Sequence, residues 1–255
     1  MGTTRPNGSL YTSIQNKIAT IEFGHPASNS FPSELLQRLT DEFNKLSQDE
    51  SVHVIVLKSE DDGTFCAGAS FDDLIAITNL EDGKKFFMGF AHVINAMHKC
   101  SKLIIGRVQG KAVGGGVGLA AACDYTMATE AASIKLSEFT IGIGPFVIAP
   151  VVERKIGVSA LSELTLTAHE WKNAYWAKEK GLYAKVLDSI KELDNEVEIL
   201  AQKLASYNPD ALKEMKKALW EGTEHWNKIL EERAETSGKL VLSDFTKKAL
   251  EKFKK

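Results

Sequence analysis

Residues 111–128 read KAVGGGVGLAAACDYTMA. Three consecutive glycines, Gly114 to Gly116, then Val117 and a fourth glycine, Gly118, run directly into an apolar, alanine-rich segment. Glycine costs roughly 0.5–1 kcal/mol relative to alanine inside a regular element. Four of them where a helix is starting imply that something approaches that backbone closely. Just upstream, LIIGRVQG (103–110) has the continuous apolar character of a buried strand. The local order is therefore strand, glycine loop, helix.

Three readings of the loop stand side by side. The glycines can simply let a strand and a helix pack tightly. The run from Gly116 to Ala121 also fits the GxGxx(G/A) fingerprint of dinucleotide sites, with Glu138 at about the right distance for a ribose contact. That fingerprint normally opens its own βαβ unit, whereas here it lies over a hundred residues into the chain. A phosphate P-loop is excluded, because no GK(S/T) follows. The third reading is an oxyanion hole. A helix N-terminus offers unpaired N–H groups and about half a positive charge, and glycines let a carbonyl oxygen reach them. Such a hole usually draws one N–H from each of two loops, and loss of one donor costs ~10²–10³ in rate. FCAGAS (65–70), small residues before a possible helix start at FDDL, supplies a second loop.

Composition narrows the class. The 255 residues are 44% hydrophobic and 25% charged, with a formal charge of −3. This is ordinary globular usage, without the basic field that nucleic acid requires. Cys66, Cys100 and Cys123 are odd in number and form no CxxC, which suits reduced thiols rather than a disulfide framework. The histidines form no HxxxH or HExxH spacing, so no helical metal site is expected. The N-terminus lacks a signal-peptide core, and no stretch approaches the ~20 apolar residues that span a bilayer. A cytoplasmic protein that contacts neither membrane nor nucleic acid is the expectation.

Residues 1–14 read as a flexible arm. KIATIEF (17–23) alternates as a half-buried strand, Ser33 is placed to cap a helix through ELLQRLTDEFNKLS, and VHVIVLKS (52–59) is a buried strand. Residues 82–99 form an amphipathic helix, and YTMA and SIKL are short strand candidates. Strand–helix alternation over the first ~140 residues argues an α/β body with parallel pairing. From about residue 159 only helical patterns follow, at 190–206, 210–220, 223–238 and 242–254. The expected division is an α/β core over 15–195 and a helical C-terminal extension over 196–255.

FCAGAS, the Gly110–Asp124 pattern GxxxGGGxxLAxxCD and KLSEFTIGIGP (135–145) together resemble the crotonase superfamily of enoyl-CoA hydratases and isomerases, in that family's order and spacing. IATIEFGHPASNSF and the tail ending ALEKFKK are also similar to it. The resemblance implies a spiral of ββα units with the helical tail used for oligomerisation, giving a homotrimer or homohexamer. It implies an acyl-CoA thioester as substrate, coenzyme A arriving with it and no separate cofactor or metal. The thioester oxygen would lie between the Ala69 and Gly115 N–H groups. Ala67, Gly68, Ser70, Phe71, Asp72, Gly114 and Gly118 would line the CoA and substrate path. Phe253 and Lys254 are further candidates to reach CoA.

In the same way Glu138 matches a catalytic glutamate of the family, and its neighbours Leu136, Phe139 and Ile141 suggest an apolar surround that raises its pKa. Gly118 is the departure. Two-glutamate hydratases carry their first glutamate there, in GGGxEL, whereas this chain reads GGGVGL. Δ3,Δ2-enoyl-CoA isomerases of the family work with a single glutamate at the Glu138 position. Local chemistry therefore favours isomerisation or decarboxylation. The longer likeness, to 3-methylglutaconyl-CoA hydratase-type members, favours hydration of a branched enoyl-CoA, and the sequence leans that way. The loss at Gly118 also leaves open a non-catalytic acyl-CoA-binding relative. Cys66 reads as a packed thiol rather than a nucleophile.

Overall fold

The computed structural model describes residues 7–252; Phe253 and Lys254 lie outside them. The chain opens with β1 (Ser9–Gln15) and β2 (Ile18–Gly24), followed by α1 (Ser33–Gln48), β3 (Val54–Ser59), α2 (Phe71–Ala76) and α3 (Leu80–Lys99). Next come β4 (Leu103–Val108), β5 (Ala112–Val113), α4 (Gly115–Ala122), β6 (Tyr125–Thr129) and β7 (Ile134–Lys135). A 3₁₀ turn at Glu138–Ile141 precedes α5 (Ala149–Leu166), α6 (Ala174–Glu179) and β8 (Lys185–Leu187). The chain then runs through α7 (Ile190–Ser206), α8 (Pro209–Leu219), α9 (Trp226–Val241) and α10 (Asp244–Glu251).

Six strands form the main sheet in the order β1-β2-β3-β4-β6-β8. β1 is antiparallel to β2, and every other pair is parallel. β3 shows why these strands read as continuous apolar runs. Its Ile55 and Leu57 face the large core that also takes Leu35, Leu39 and Phe43 of α1. Val54 and Val56 face a second core with Leu193, Val197, Ala201 and Ala205 of α7. Helices on both faces leave no polar side to the strand.

Three expectations are corrected here. Residues 9–14 are not a loose arm but belong to β1, which pairs with β2 along its whole length from Ser9↔Gly24 to Gln15↔Ile18. The boundary at 195 cuts through α7, whose apolar stripe covers the back of the sheet, so this helix belongs to the core. Residues beyond 159 are not purely helical: β8 adds an edge strand through Met127↔Lys185, Ala128↔Val186 and Thr129↔Leu187. Three residues are too few to display an alternation. Ser33 opens α1 without capping it through its side chain; instead its N–H and Oγ both donate to Asp73 Oδ2 at 2.9 Å.

A second, smaller sheet assembles the site. β5 pairs with β7, and single parallel bridges join Cys66 to Ala112 and Phe31 to Ala69. The FCAGAS loop, the glycine loop and the approach to Glu138 thus run side by side. The helical tail closes over them. α9 packs on α3 at a point where Gly83 and Gly238 meet backbone to backbone: a Cβ built on Gly83 would lie 3.0 Å from Gly238 Cα. α10 packs on the Glu138 turn, since a Cβ on Gly142 would lie 2.6 Å from Thr246 Oγ1.

Candidate active site

The Phe31–Ala69 bridge is made by the Phe31 N–H donating to the Gly68 carbonyl (2.8 Å) and the Ser70 N–H donating to the Phe31 carbonyl (3.0 Å). This pairing uses the peptide groups flanking Ala69 and leaves the Ala69 N–H with no acceptor among the described residues. Gly115 is the first residue of α4, where an N–H has no carbonyl four residues back within the helix, and its N–H is likewise unpaired there. The two loops touch. A Cβ on Gly68 would stand 2.9 Å from the Val113 carbonyl oxygen and 3.4 Å from the Gly115 nitrogen.

The glycine cluster now has a physical account. Gly114 caps α4 with φ +52°, a backbone that L side chains rarely adopt. A Cβ there would also fall 2.8 Å from Glu138 Oε1, so the missing side chain is what lets the carboxyl lie against the helix start. The position of Gly115 abuts the Phe90 ring, and Gly116 abuts Cys66, whose carbonyl oxygen would be 2.5 Å from an added Cβ. Gly118 faces Ile148, with Cγ2 2.6 Å and Cβ 2.9 Å from the position a Cβ would take. Gly116 and Gly118 are filled by the chain itself, which removes the open groove that a dinucleotide pyrophosphate needs.

Glu138 sits on the 3₁₀ turn just after β7. Part of the residue reaches the surface, but its Oε2 is inaccessible and has no hydrogen-bond partner. Burial pushes the carboxyl up to about 7, against a smaller opposing pull from its own backbone N–H. Phe139 is 45% exposed, so the apolar surround does not come from it. Ile141 does contribute, with Phe87, Phe90, Ile143, Val147 and Ile148, in a narrow cavity of about 80 Å³. Larger depressions of about 720 and 760 Å³ lie elsewhere on the surface, and neither contains Glu138 or the two free N–H groups.

Of the residues expected at the site, Ala67, Gly68, Ala69, Phe71, Gly114, Gly115 and Glu138 line this cavity. Ser70, Asp72 and Gly118 do not. Ser70 is the N-cap of α2, its Oγ accepting from the Asp73 N–H at 3.3 Å. Asp72 is exposed, and Gly118 is covered by Ile148. Sequence reasoning missed Phe90, Ile148 and Ser237. They belong to helices or turns whose periodicity marks a buried face without saying what it is buried against. Cys66 is fully buried and its thiol is pushed up to about 12, so it packs as a neutral side chain. Among the described residues, no three His, Cys, Asp or Glu side chains are grouped to hold a metal ion. No described helix is long and apolar enough to cross a membrane.

Two unpaired N–H groups side by side, one at a helix N-terminus, can hold an oxygen on which negative charge develops. A carboxyl poised near 7 in the same cavity can take up and return a proton at neutral pH. The arrangement suits deprotonation next to a carbonyl.

The family described as Enoyl-CoA hydratase/isomerase matches residues 13–254. A short-chain-enoyl-CoA hydratase of Clostridium acetobutylicum is 29% identical over 210 residues, covering 82% of this chain and 79% of that protein. The mitochondrial methylglutaconyl-CoA hydratase of Homo sapiens is 31% identical over 200 residues, covering 77% of this chain and 58% of its own length. In fold, the crystal structure of an enoyl-CoA hydratase from Bacillus halodurans superposes with a TM-score of 0.87 at 23% identity, over 95% of this chain and 99% of the other. The chain belongs to the enoyl-CoA hydratase/isomerase family.

Proposed function

We propose that the chain shifts the double bond of an enoyl-CoA thioester by a 1,3-proton transfer, with Glu138 as its single acid–base group. One observation carries this reading: Ile148 fills the space that a side chain at Gly118 would need, and among the described residues Glu138 is the only titratable one lining the cavity. The thioester oxygen accepts from the Ala69 and Gly115 N–H groups. The Glu138 carboxylate takes a proton from the carbon next to the thioester. The C–H electron pair moves into the enolate, whose charge on the thioester oxygen the two N–H groups carry; as the enolate collapses it forms the new double bond, and the electrons of the old one bond the incoming proton at the far carbon. The Glu138 carboxylic acid then delivers the same proton to the far carbon and is ionised again. Coenzyme A enters and leaves with the substrate, and the shift asks for no other group.

Hydration of a branched enoyl-CoA such as 3-methylglutaconyl-CoA is the second reading, supported by the names of the relatives. It requires a placed water, and among the described residues the cavity offers Glu138 alone to place and deprotonate it. Turnover of 3-hexenoyl-CoA, crotonyl-CoA, 3-methylcrotonyl-CoA and 3-methylglutaconyl-CoA, followed by mass spectrometry, separates the readings. Rearrangement of the 3-enoyl substrate at constant mass supports isomerisation, gain of one water supports hydration, and loss of carbon dioxide from the glutaconyl substrate supports decarboxylation. Binding of all four with no turnover leaves a non-catalytic acyl-CoA-binding protein. On the same reading the chain assembles as a homotrimer or homohexamer, checked by light scattering coupled to size exclusion.

A further inference from the structure

Ser237 is 1% exposed on α9 and lines the same cavity as Glu138 and the two free donors. Its Oγ has no hydrogen-bond partner. A helical serine or threonine usually meets this need locally, by donating to the carbonyl four residues back. Thr236, its neighbour, does so to Glu232 at 3.0 Å, and Thr40 of α1 does so to Leu36 at 2.9 Å. Ser237 forgoes that bond to the Arg233 carbonyl. The Gly83–Gly238 approach draws α9 onto α3 at this point, so that Ser237 joins Phe87 and Phe90 in the cavity wall.

A buried hydroxyl left unpaired is unfavourable, and such groups in folded proteins call for a partner that arrives from elsewhere. An alanine here would avoid the cost. Among the described residues, no lysine or arginine lines the cavity, so a carboxylate at the end of the acyl chain would be buried without a counter-charge. We propose that Ser237 is a specificity-determining residue that hydrogen-bonds a neutral oxygen, a hydroxyl or ketone, carried by the acyl chain of the substrate. The proposal rests on the reading of this cavity as the acyl pocket.

Binding of unreactive, saturated ligands tests it apart from catalysis. Calorimetry on the full chain would compare hexanoyl-CoA with 6-hydroxyhexanoyl-CoA and 5-oxohexanoyl-CoA, for the wild type and for Ser237→Ala. At least one oxygenated ligand is expected to bind the wild type about tenfold more tightly than hexanoyl-CoA. Ser237→Ala is expected to erase that ratio. An equal ratio in the two proteins, or no preference in the wild type, overturns the assignment of Ser237. Preference lost in the variant but no double-bond shift on any 3-enoyl-CoA retains the assignment and removes the isomerase reading. No binding of any of the three removes both. A thermal midpoint unchanged in Ser237→Ala excludes misfolding as the cause.

Discussion

A Cβ placed on Gly118 would lie 2.6 Å from Cγ2 of Ile148, closer than real side chains approach. The position on α4 that could carry a second carboxylate is therefore closed by the residue that precedes α5. The cavity is left with Glu138 as its acid–base group, and Ile148 is among the residues lining it.

Gly118→Glu should unfold at a markedly lower temperature than the wild type, since overpacking costs about 1–3 kcal/mol before the carboxylate is buried. Gly118→Glu combined with Ile148→Ala should recover part of the loss, because the two side chains compete for one space. Thermal midpoints of the three proteins decide this. Additive losses in the double variant would mean that Ile148 is not the obstacle.

Replacing Glu138 by glutamine should lower kcat by about 10²–10⁴, the usual contribution of one positioned acid–base group. Binding of hexanoyl-CoA should stay within a few-fold, since the thioester is held by backbone N–H groups. Steady-state rates and calorimetry on the same preparations check the split. Unchanged turnover would remove Glu138 from the chemistry.

The carboxyl of Glu138 titrates at about 7 in the folded chain against an ordinary 4.5. Proton abstraction needs the carboxylate, so kcat/KM should rise with pH and level off above about 7. Stability moves the other way. A raised acid pKa means that the folded state holds its proton more tightly, so this group favours folding fully below about 4.5 and progressively less as pH rises through 7. Glu138→Gln should therefore gain on the wild type at pH 8, by at most roughly 3 kcal/mol, and not at pH 4. Denaturant midpoints at the two pH values test the sign.

Asp124 ends the glycine-loop helix in a buried network. Its Oδ2 accepts from Lys216 Nζ and from the Ile104 N–H, both at 2.7 Å, and its Oδ1 accepts from Trp220 Nε1 at 2.6 Å. The two charged side chains are 5% and 2% exposed. Asp124→Ala should cost about 3–5 kcal/mol, because it strands the Lys216 ammonium. Adding Lys216→Met should return a good part of this. A double variant no better than the single one would show that the ion pair is not what α8 depends on.

The glycine series was legible in the sequence because its chemistry is local, whereas Glu138 was singled out by its place in a motif that resembles the enoyl-CoA hydratase and isomerase family. A helix N-terminus rich in glycine exposes N–H groups wherever it folds, and β3 and β4 read as buried strands because an apolar run has no polar face to show. The same local patterns gave the helices α1, α3 and α7 nearly residue by residue. What failed was whatever depends on pairing or packing with another segment rather than on a pattern within its own. β1 and β8 exist because β2 and β6 offer them an edge, and α7 became part of the core because Val54, Val56, Ile105 and Met127 needed covering.

The sequence by itself determined the glycine run at the start of α4, the small-residue loop before α2 and the absence of a carboxylate at Gly118, and its resemblance to the family pointed to Glu138. Only the tertiary structure decided that Ile148 closes the vacant place, that Phe87, Phe90, Ile143 and Ile148 rather than Phe139 enclose Glu138, and that Ser237 comes from α9 into the same cavity. The physical reason is that desolvation and close packing are properties of what surrounds a side chain. Those surroundings are assembled here from segments as far apart in the chain as Ala67 and Ser237.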